Sequence, residues 1–222
     1  MKVYFECGVK RTFASAVDWP GWVRWGADEA EALRALVEAG PRYAAIVARE
    51  DLRLRLSRAG AVEVMERLPG TAMTDFGALN VPPAADAERT CDAQALERFD
   101  RVLTAVWNAF DGAVDAARGR RLRTGPRGGG RSLAGIISHV DGADEGHLRA
   151  VGWPLRDAPA GRGRQAWLRA AIRQALWAAG TGKLPAHGPR GGARWTARWL
   201  VRRVAWHAVT HTWEIERRVV HP

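Results

Sequence analysis

The feature that most constrains the fold is the spacing of apolar residues in the C-terminal part of the chain. Between residues 92 and 220, apolar side chains recur every three or four positions in four separate stretches, as in helices that bury one face. These stretches are Asp92–Ala117, Ser132–Val151, Arg164–Ala178 and Arg194–Val220. Asp and Ser are good N-terminal caps for the first two stretches. The spacing therefore predicts an all-α four-helix bundle over residues 88–222.

Residues 1–80 follow a different pattern. KVYFE, RTFASAV and WVRWG are short runs of β-forming residues separated by turn residues, and Val62–Leu68 is a fourth such run. Between them, Asp28–Ala39 has acidic residues in its first turn and an apolar stripe, which predicts a helix that resumes over Pro41–Val47. We therefore expect an α+β protein, in which a small module with an antiparallel sheet and a helix precedes the bundle.

Charge divides the chain at about the same place. Residues 1–80 hold 11 basic and 11 acidic residues, so the net charge of +10 lies entirely in residues 81–222. The Pro-containing stretch Asn80–Glu88 interrupts any periodic pattern and is the predicted boundary. No apolar run is long enough to span a bilayer. The start of the chain does not resemble a signal peptide, and two distant cysteines favour a reducing compartment, so a cytoplasmic location is expected.

Histidines mark the candidate site. His207 and His211 are four residues apart on the core-facing stripe of the last helix, a spacing at which two imidazoles reach one ion. His139 in the second helix is a third candidate ligand, and His147 in the same helix competes with it. Three neutral imidazoles would form an open site for a divalent metal such as Zn, Ni or Mn.

Two segments carry a resemblance to a known superfamily. WTARWLVRRVAWHAVTHTWEIERR and GRSLAGIISHVDGADEGH resemble the last and the second helix of DinB-like proteins, which are metal-binding four-helix bundles. The resemblance covers residues 92–220 and implies that His139, His207 and His211 are the metal ligands. It also implies a metal-dependent transferase or isomerase that uses a low-molecular-weight thiol of the mycothiol or bacillithiol type. DinB-like bundles commonly pair, so a homodimer through the bundle is expected.

A second resemblance concerns the N-terminal module. FASAVDWPGWVRWGADEAEALRAL is similar to HicB-like antitoxin modules, and the similarity extends over residues 2–70. In that family the module binds a partner protein, which implies that residues 1–80 serve for interaction. No DNA-binding tail follows the module, so antitoxin activity is not implied.

Charged residues near the histidines are the candidates for chemistry. Arg202 and Arg203 could stabilise a developing oxyanion, and Glu145 and Glu214 could act as a general base. Arg127 and Arg131, in a glycine-rich loop, could bind an anionic substrate or the thiol. The alternative is that the arginines form a solvated positive surface and that the two glutamates form surface or helix–helix ion pairs.

Two other functions fit the composition. The arginine-rich segments 118–131 and 183–203, with the Trp stripe of the last helix, could bind nucleic acid. That stripe consists of Trp195, Trp199, Trp206 and Trp213, and it could also be a dimer interface. The other function is non-catalytic partner binding through residues 1–80. A small anionic substrate is the preferred partner, with nucleic acid as the alternative and no membrane.

Overall fold

The computed structural model describes residues 1–56, 62–124, 130–156, 159–161 and 163–220 and confirms the α+β class. The strands are β1 (Lys2–Cys7), β2 (Thr12–Ala16), β3 (Val23–Gly26) and β4 (Glu63–Pro69). The helices are α1 (Glu29–Val47), α2 (Ala72–Phe76), α3 (Ala93–Ala117), α4 (Leu133–Val151), α5 (Arg164–Gly180) and α6 (Ala197–Arg218). Residues 48–50 and 84–86 form single 3₁₀ turns.

The sheet is mixed, whereas an antiparallel sheet was expected. Its strand order is β3-β2-β1-β4, and β1 pairs with β2, and β2 with β3, in the antiparallel sense. The fourth strand pairs with β1 in parallel. The reason is the connection through α1, which carries the chain from one edge of the sheet to the other, so that β4 enters in the same direction as β1.

Helix α1 passes through the glycine and proline at which the sequence predicted an interruption. Asp28 caps it by accepting a hydrogen bond from the Glu31 amide at 2.8 Å. Beyond Pro41, the ring of Tyr43 stacks on Trp22 with 5.8 Å between centroids and donates a hydrogen bond to the Pro20 carbonyl at 2.6 Å. These tertiary contacts compensate for the backbone hydrogen bond that proline cannot donate.

The four predicted bundle helices are α3 to α6. Helix α6 lies in the middle of the protein, in contact with α3, α4, α5 and the 3₁₀ turn at residues 84–86. It begins at Ala197 because the Thr196 hydroxyl caps it, accepting from the Trp199 amide at 3.1 Å. Among the described helices, none combines the length and apolar character needed to cross a bilayer.

The N-terminal sheet packs directly against this central helix. Gly21, in a turn with positive φ, lies so close to α6 that a Cβ there would be 3.0 Å from the Ala205 methyl group. One continuous apolar cluster includes Val3 and Leu36 from the first part and Leu103 and Val204 from the second. Residues 1–80 and the bundle therefore share one hydrophobic core.

A buried ion pair joins the two parts. Arg202 of α6 donates two hydrogen bonds to the Asp86 carboxylate, at 2.6 and 2.9 Å, and the side chains are only 2% and 4% exposed. Its remaining donors bind the carbonyl oxygens of Ala16 and Val17 at the end of β2, both at 2.9 Å. One guanidinium thus connects a strand end, the segment before α3 and the central helix.

Removing the carboxylate should destabilise the protein strongly. In the Asp86→Ala variant, Arg202 would stay buried without its counterion, which typically costs about 3–5 kcal/mol. We expect the free energy of unfolding, measured by urea denaturation, to fall by that amount. Glu88→Ala is the matched control, since Glu88 pairs with Arg198 of the same helix at 3.3 Å but is 68% exposed. Its cost should stay below about 1 kcal/mol, and equal costs for the two variants would contradict the assignment.

Candidate metal centre

Three histidine side chains meet between α4 and α6. Nε2 of His207 lies 3.2 Å from Nε2 of His139 and 3.2 Å from Nε2 of His211. The three ligand atoms all lie within 4.8 Å of one another. Imidazole nitrogens bound to one tetrahedral zinc ion at about 2.0–2.1 Å would be about 3.3 Å apart. Two of the three separations therefore match the spacing of ligands around one small ion, and the third is at most 4.8 Å.

The helices explain why these side chains meet. His207 and His211 are one turn apart on α6 and share a face, as their spacing predicted. Helix α4 packs on that face and brings in His139, half-buried, above the pair. The ring centroids of His139 are 4.9 Å from those of both α6 histidines. The three residues chosen from the sequence are thus the three that the fold brings together.

His211 is oriented by a chain of charged groups. Its Nδ1 lies 2.7 Å from the Glu214 carboxylate, and the other oxygen of that carboxylate accepts a hydrogen bond from Arg218 at 2.5 Å. A neutral His211 that donates its Nδ1 proton to Glu214 turns the lone pair of Nε2 toward the other two histidines. The hydrogen bond to His211, and then the one from Arg218, lower the pKa of Glu214 to about 2, although burial opposes them.

Arg218 also holds the loop that follows α3. Its guanidinium donates to the carbonyl oxygens of Arg123 at 2.9 Å and Arg131 at 2.8 Å. The candidate Arg131 therefore lies beside the site through its backbone, while its side chain is exposed. Its positive charge still contributes to lowering the pKa of His139. The other loop candidate, Arg127, lies outside the described residues.

Burial favours the neutral form of His207 and of His139. The pKa of His207 lies well below its usual value, first because the ring is buried and then because of the neighbouring imidazoles. Burial also lowers the pKa of His139. Neutral imidazole is the form that binds metals. Nδ1 of His207 is buried and has no hydrogen-bond partner among the described residues.

His147, the competing candidate, lies next to the cluster but outside it. Its ring centroid is 6.0 Å from that of His207 and 5.5 Å from that of Trp195. The Asp144 carboxylate is 3.5 Å from its Nδ1, too far for a good hydrogen bond. Burial lowers the pKa of His147 despite this acidic neighbour. His147 is therefore a buried polar neighbour of the three-histidine cluster, between α4 and α6, and not one of its members.

Two of the charged candidates are engaged elsewhere. Arg202 is not on the rim of the histidine site, because its donors are taken up by Asp86 and the end of β2. Glu145 forms ion pairs with Arg149, one turn further along α4, and with Arg164 at the start of α5. Their positions leave Glu214 as the carboxylate that contacts a histidine of the cluster and Arg203 as the arginine beside it.

Three of the four residues of the Trp stripe lie on α6 and face the interior of the chain, whereas Trp195 precedes the helix and is half-buried. Trp199, Trp206 and Trp213 are 3–6% exposed. Trp206 packs edge-on against Phe13 of the sheet with 6.1 Å between centroids, and Trp199 belongs to the same apolar cluster. These rings are therefore unavailable to stack on bases or to form a dimer interface, because the N-terminal module covers them.

Two important residues were missed by the sequence reasoning. Arg218 could have been found, because Glu214 lies three residues after His211 and four before Arg218, so the three share a helix face. Asp86 carried no signal, since it stands among alanines in the presumed linker and its partner is 116 positions away.

Glu214 should contribute measurably to stability. Glu214→Gln keeps the shape of the side chain but removes the charge that accepts from His211 and Arg218, and such hydrogen bonds contribute about 1.5–3 kcal/mol each. We expect the free energy of unfolding of the metal-free protein to fall by at least about 1.5 kcal/mol. Glu216→Gln, two residues along the helix, removes an exposed ion pair with Arg42 and should cost less than about 1 kcal/mol. A Glu214 variant as stable as the Glu216 variant would contradict the stabilising role of the hydrogen bonds that link His211, Glu214 and Arg218.

Comparison with known proteins gives no match for this chain. No family model matches it, and no curated protein and no solved structure is significantly similar to it. The DinB-like and HicB-like resemblances therefore stay predictions from the sequence. The chemistry of the site has to be inferred from its own side chains.

Proposed function

We propose that His139, His207 and His211 bind one divalent metal ion and leave part of its coordination sphere open. The observation that carries the proposal is that Nε2 of His207 lies 3.2 Å from Nε2 of both His139 and His211, in a place where burial disfavours a protonated His207. Three nitrogen lone pairs at that distance repel one another unless a proton or a cation lies between them. A shared metal ion removes that repulsion.

The surroundings also suit a metal. The Glu214 carboxylate beside His211 is the kind of outer partner that orients a ligating histidine and raises its basicity. Three histidines favour Zn, with Ni as an alternative, whereas Mn prefers oxygen ligands. Fewer than four protein ligands are typical of catalytic rather than structural zinc sites.

For the reaction, we propose the thiol-dependent transfer or isomerisation that the DinB-like resemblance implies. A bound divalent metal would supply Lewis acidity and lower the pKa of a thiol or water molecule. Of this chain's own residues, Glu214 holds His211 in one tautomer, and Arg203 places a positive charge beside the cluster. A small anionic substrate, a cytoplasmic location and partner binding by residues 1–80 belong to the same proposal.

Metal content is the first test. Purified without chelators, the wild-type protein should hold one divalent ion per chain by plasma mass spectrometry. His139→Ala, His207→Ala and His211→Ala should each bind it at least about 100-fold more weakly, because each would lose one of three ligands. His147→Ala, which removes a neighbouring imidazole outside the cluster, should keep full occupancy.

The matched variants separate ligands from neighbours. Glu214→Gln should retain the metal with about 10–100-fold lower affinity, as expected for an outer partner. A wild-type protein that takes up no stoichiometric metal would refute the site. Loss of metal in His147→Ala with retention in His139→Ala would move the third ligand to His147.

The reaction class has its own test. With mycothiol or bacillithiol present, the metal-loaded protein should accelerate either the transfer of the thiol to an electrophilic small acid or the isomerisation of a small acid. Both reactions are followed by the loss of the acid, because only the transfer consumes free thiol. His207→Ala should lower the rate at least about 100-fold, because the metal that activates the thiol would be lost. Equal consumption of the acid by wild type and His207→Ala would contradict a metal-activated, thiol-dependent function without bearing on metal binding itself.

A further inference from the structure

Arg203 is a largely buried cation that has no counterion among the described residues. It lies one turn before His207 on α6, and its Nε and Nη1 atoms are inaccessible to solvent. Neither atom has a hydrogen-bond partner, and no carboxylate in the described part of the chain forms an ion pair with the guanidinium. Glu6 acts on Arg203 only at a distance, because its carboxylate is already bound by the Thr74 hydroxyl and the amides of Asn80 and Val81.

Aromatic rings surround the guanidinium but do not replace an acceptor. Its central carbon lies 5.1 Å from the ring of Trp206, 5.6 Å from that of Trp195 and 5.9 Å from that of Trp199. Cation–π contacts of this kind stabilise the charge. The N–H groups nevertheless need oxygen acceptors, and a buried donor without one is costly. Burial lowers the pKa of Arg203 to about 10, which reflects the same cost.

Other unpartnered nitrogen atoms lie beside it. Nδ1 of His147 and Nδ1 of His207 are buried and have no hydrogen-bond partner among the described residues, although the Asp144 carboxylate is 3.5 Å from Nδ1 of His147. His147 and Arg203 contact the same ring, that of Trp195, at 5.5 and 5.6 Å. The positive charge of Arg203 is felt at both histidines. Unsatisfied nitrogen atoms on α4 and α6 are thus concentrated next to the three-histidine cluster.

We propose that Arg203 and His147 bind the oxyanion, a carboxylate or a phosphate, of a small ligand whose other end reaches His139, His207 and His211. The oxygen atoms of such a group would supply the acceptors that Arg203 lacks. The anion site depends on Arg203 and its surroundings alone, whereas placing the reactive end of the ligand at the histidines rests on the proposed metal-binding function. Arg203 thereby defines the substrate class as small oxyanions.

The competing explanation is purely structural, with the guanidinium held only to pack against the Trp rings. The two explanations predict opposite effects of Arg203→Met, which keeps the apolar volume and removes the charge. An anion site should be unfavourable when empty, so the variant should melt at the same temperature as the wild type or higher without anion. If the cation is purely structural, its removal should cost the stabilising contacts with the Trp rings, so the variant should melt at a lower temperature than the wild type.

The direct experiment uses the full chain freed of metal by a chelator and titrated at constant ionic strength with sodium phosphate and with sodium acetate. By calorimetry, the wild type should bind at least one of the two anions saturably at one site per chain. Arg203→Met should bind that anion at least about tenfold more weakly, and Arg203→Lys, which keeps the charge, should lie between them. The anion that binds identifies a phosphate or a carboxylate group.

Arg217→Met is the matched control. Arg217 is exposed on the same helix and lines a surface cleft with Arg24 and Arg42. The variant therefore removes the same charge as Arg203→Met, but from a surface where anions could bind non-specifically. It should bind as the wild type does. The proposal is overturned if the wild type shows no saturable site, if Arg217→Met loses as much affinity as Arg203→Met, or if Arg203→Met melts lower without anion. Anion binding without metal uptake would leave this site standing and refute the proposed metal function.

Discussion

Helix α6 is enclosed by the N-terminal sheet on one side and by α3, α4 and α5 on the others, yet it carries two arginines and two histidines toward the interior. Burying such groups costs several kcal/mol each unless they find partners. Their partners therefore have to come from the elements that surround the helix. This requirement links the packing of the two parts of the chain to the composition of the site.

The four interior groups are satisfied to different degrees. Arg202 is fully paired with Asp86 and the end of β2, and it fastens the sheet to the bundle. His211 is fixed by Glu214. His207 and Arg203 lie between these two in the sequence of the helix, and each has a buried nitrogen atom with no hydrogen-bond partner in the described part of the chain. The groups that lack partners are therefore the ones at the place where we propose that the metal and the oxyanion bind.

Much of the site could be predicted because its signals are local. Helical periodicity located α3 to α6 within a few residues, and the four-residue spacing of His207 and His211 placed both on one face. The choice of His139 needed the expected packing of α4 on α6. The parallel pairing of β4 and the Arg202–Asp86 ion pair depend on contacts between distant residues. Single-sequence periodicity carries no information on such contacts.

The burial of the Trp residues on α6 could not be predicted for the same reason, because it too depends on contacts between distant residues. A helical wheel gives the direction of a side chain relative to its own helix but not what covers that face, so the sequence alone leaves Trp199, Trp206 and Trp213 as candidates for a dimer interface or for base stacking. The N-terminal module covers them instead. Arg202 and Arg203, which lie between Trp199 and Trp206, consequently point into the protein. Their positive charge is therefore part of the interior and not of a surface that could attract nucleic acid.

The central claim is that one metal ion is shared by three histidines, and anomalous diffraction tests it most directly. Crystals grown with zinc and measured on both sides of the zinc absorption edge should show one strong peak per chain, at about 2.0–2.1 Å from Nε2 of His139, His207 and His211. A peak that contacts only two of these histidines, or no peak in this place at full zinc loading, would contradict the account.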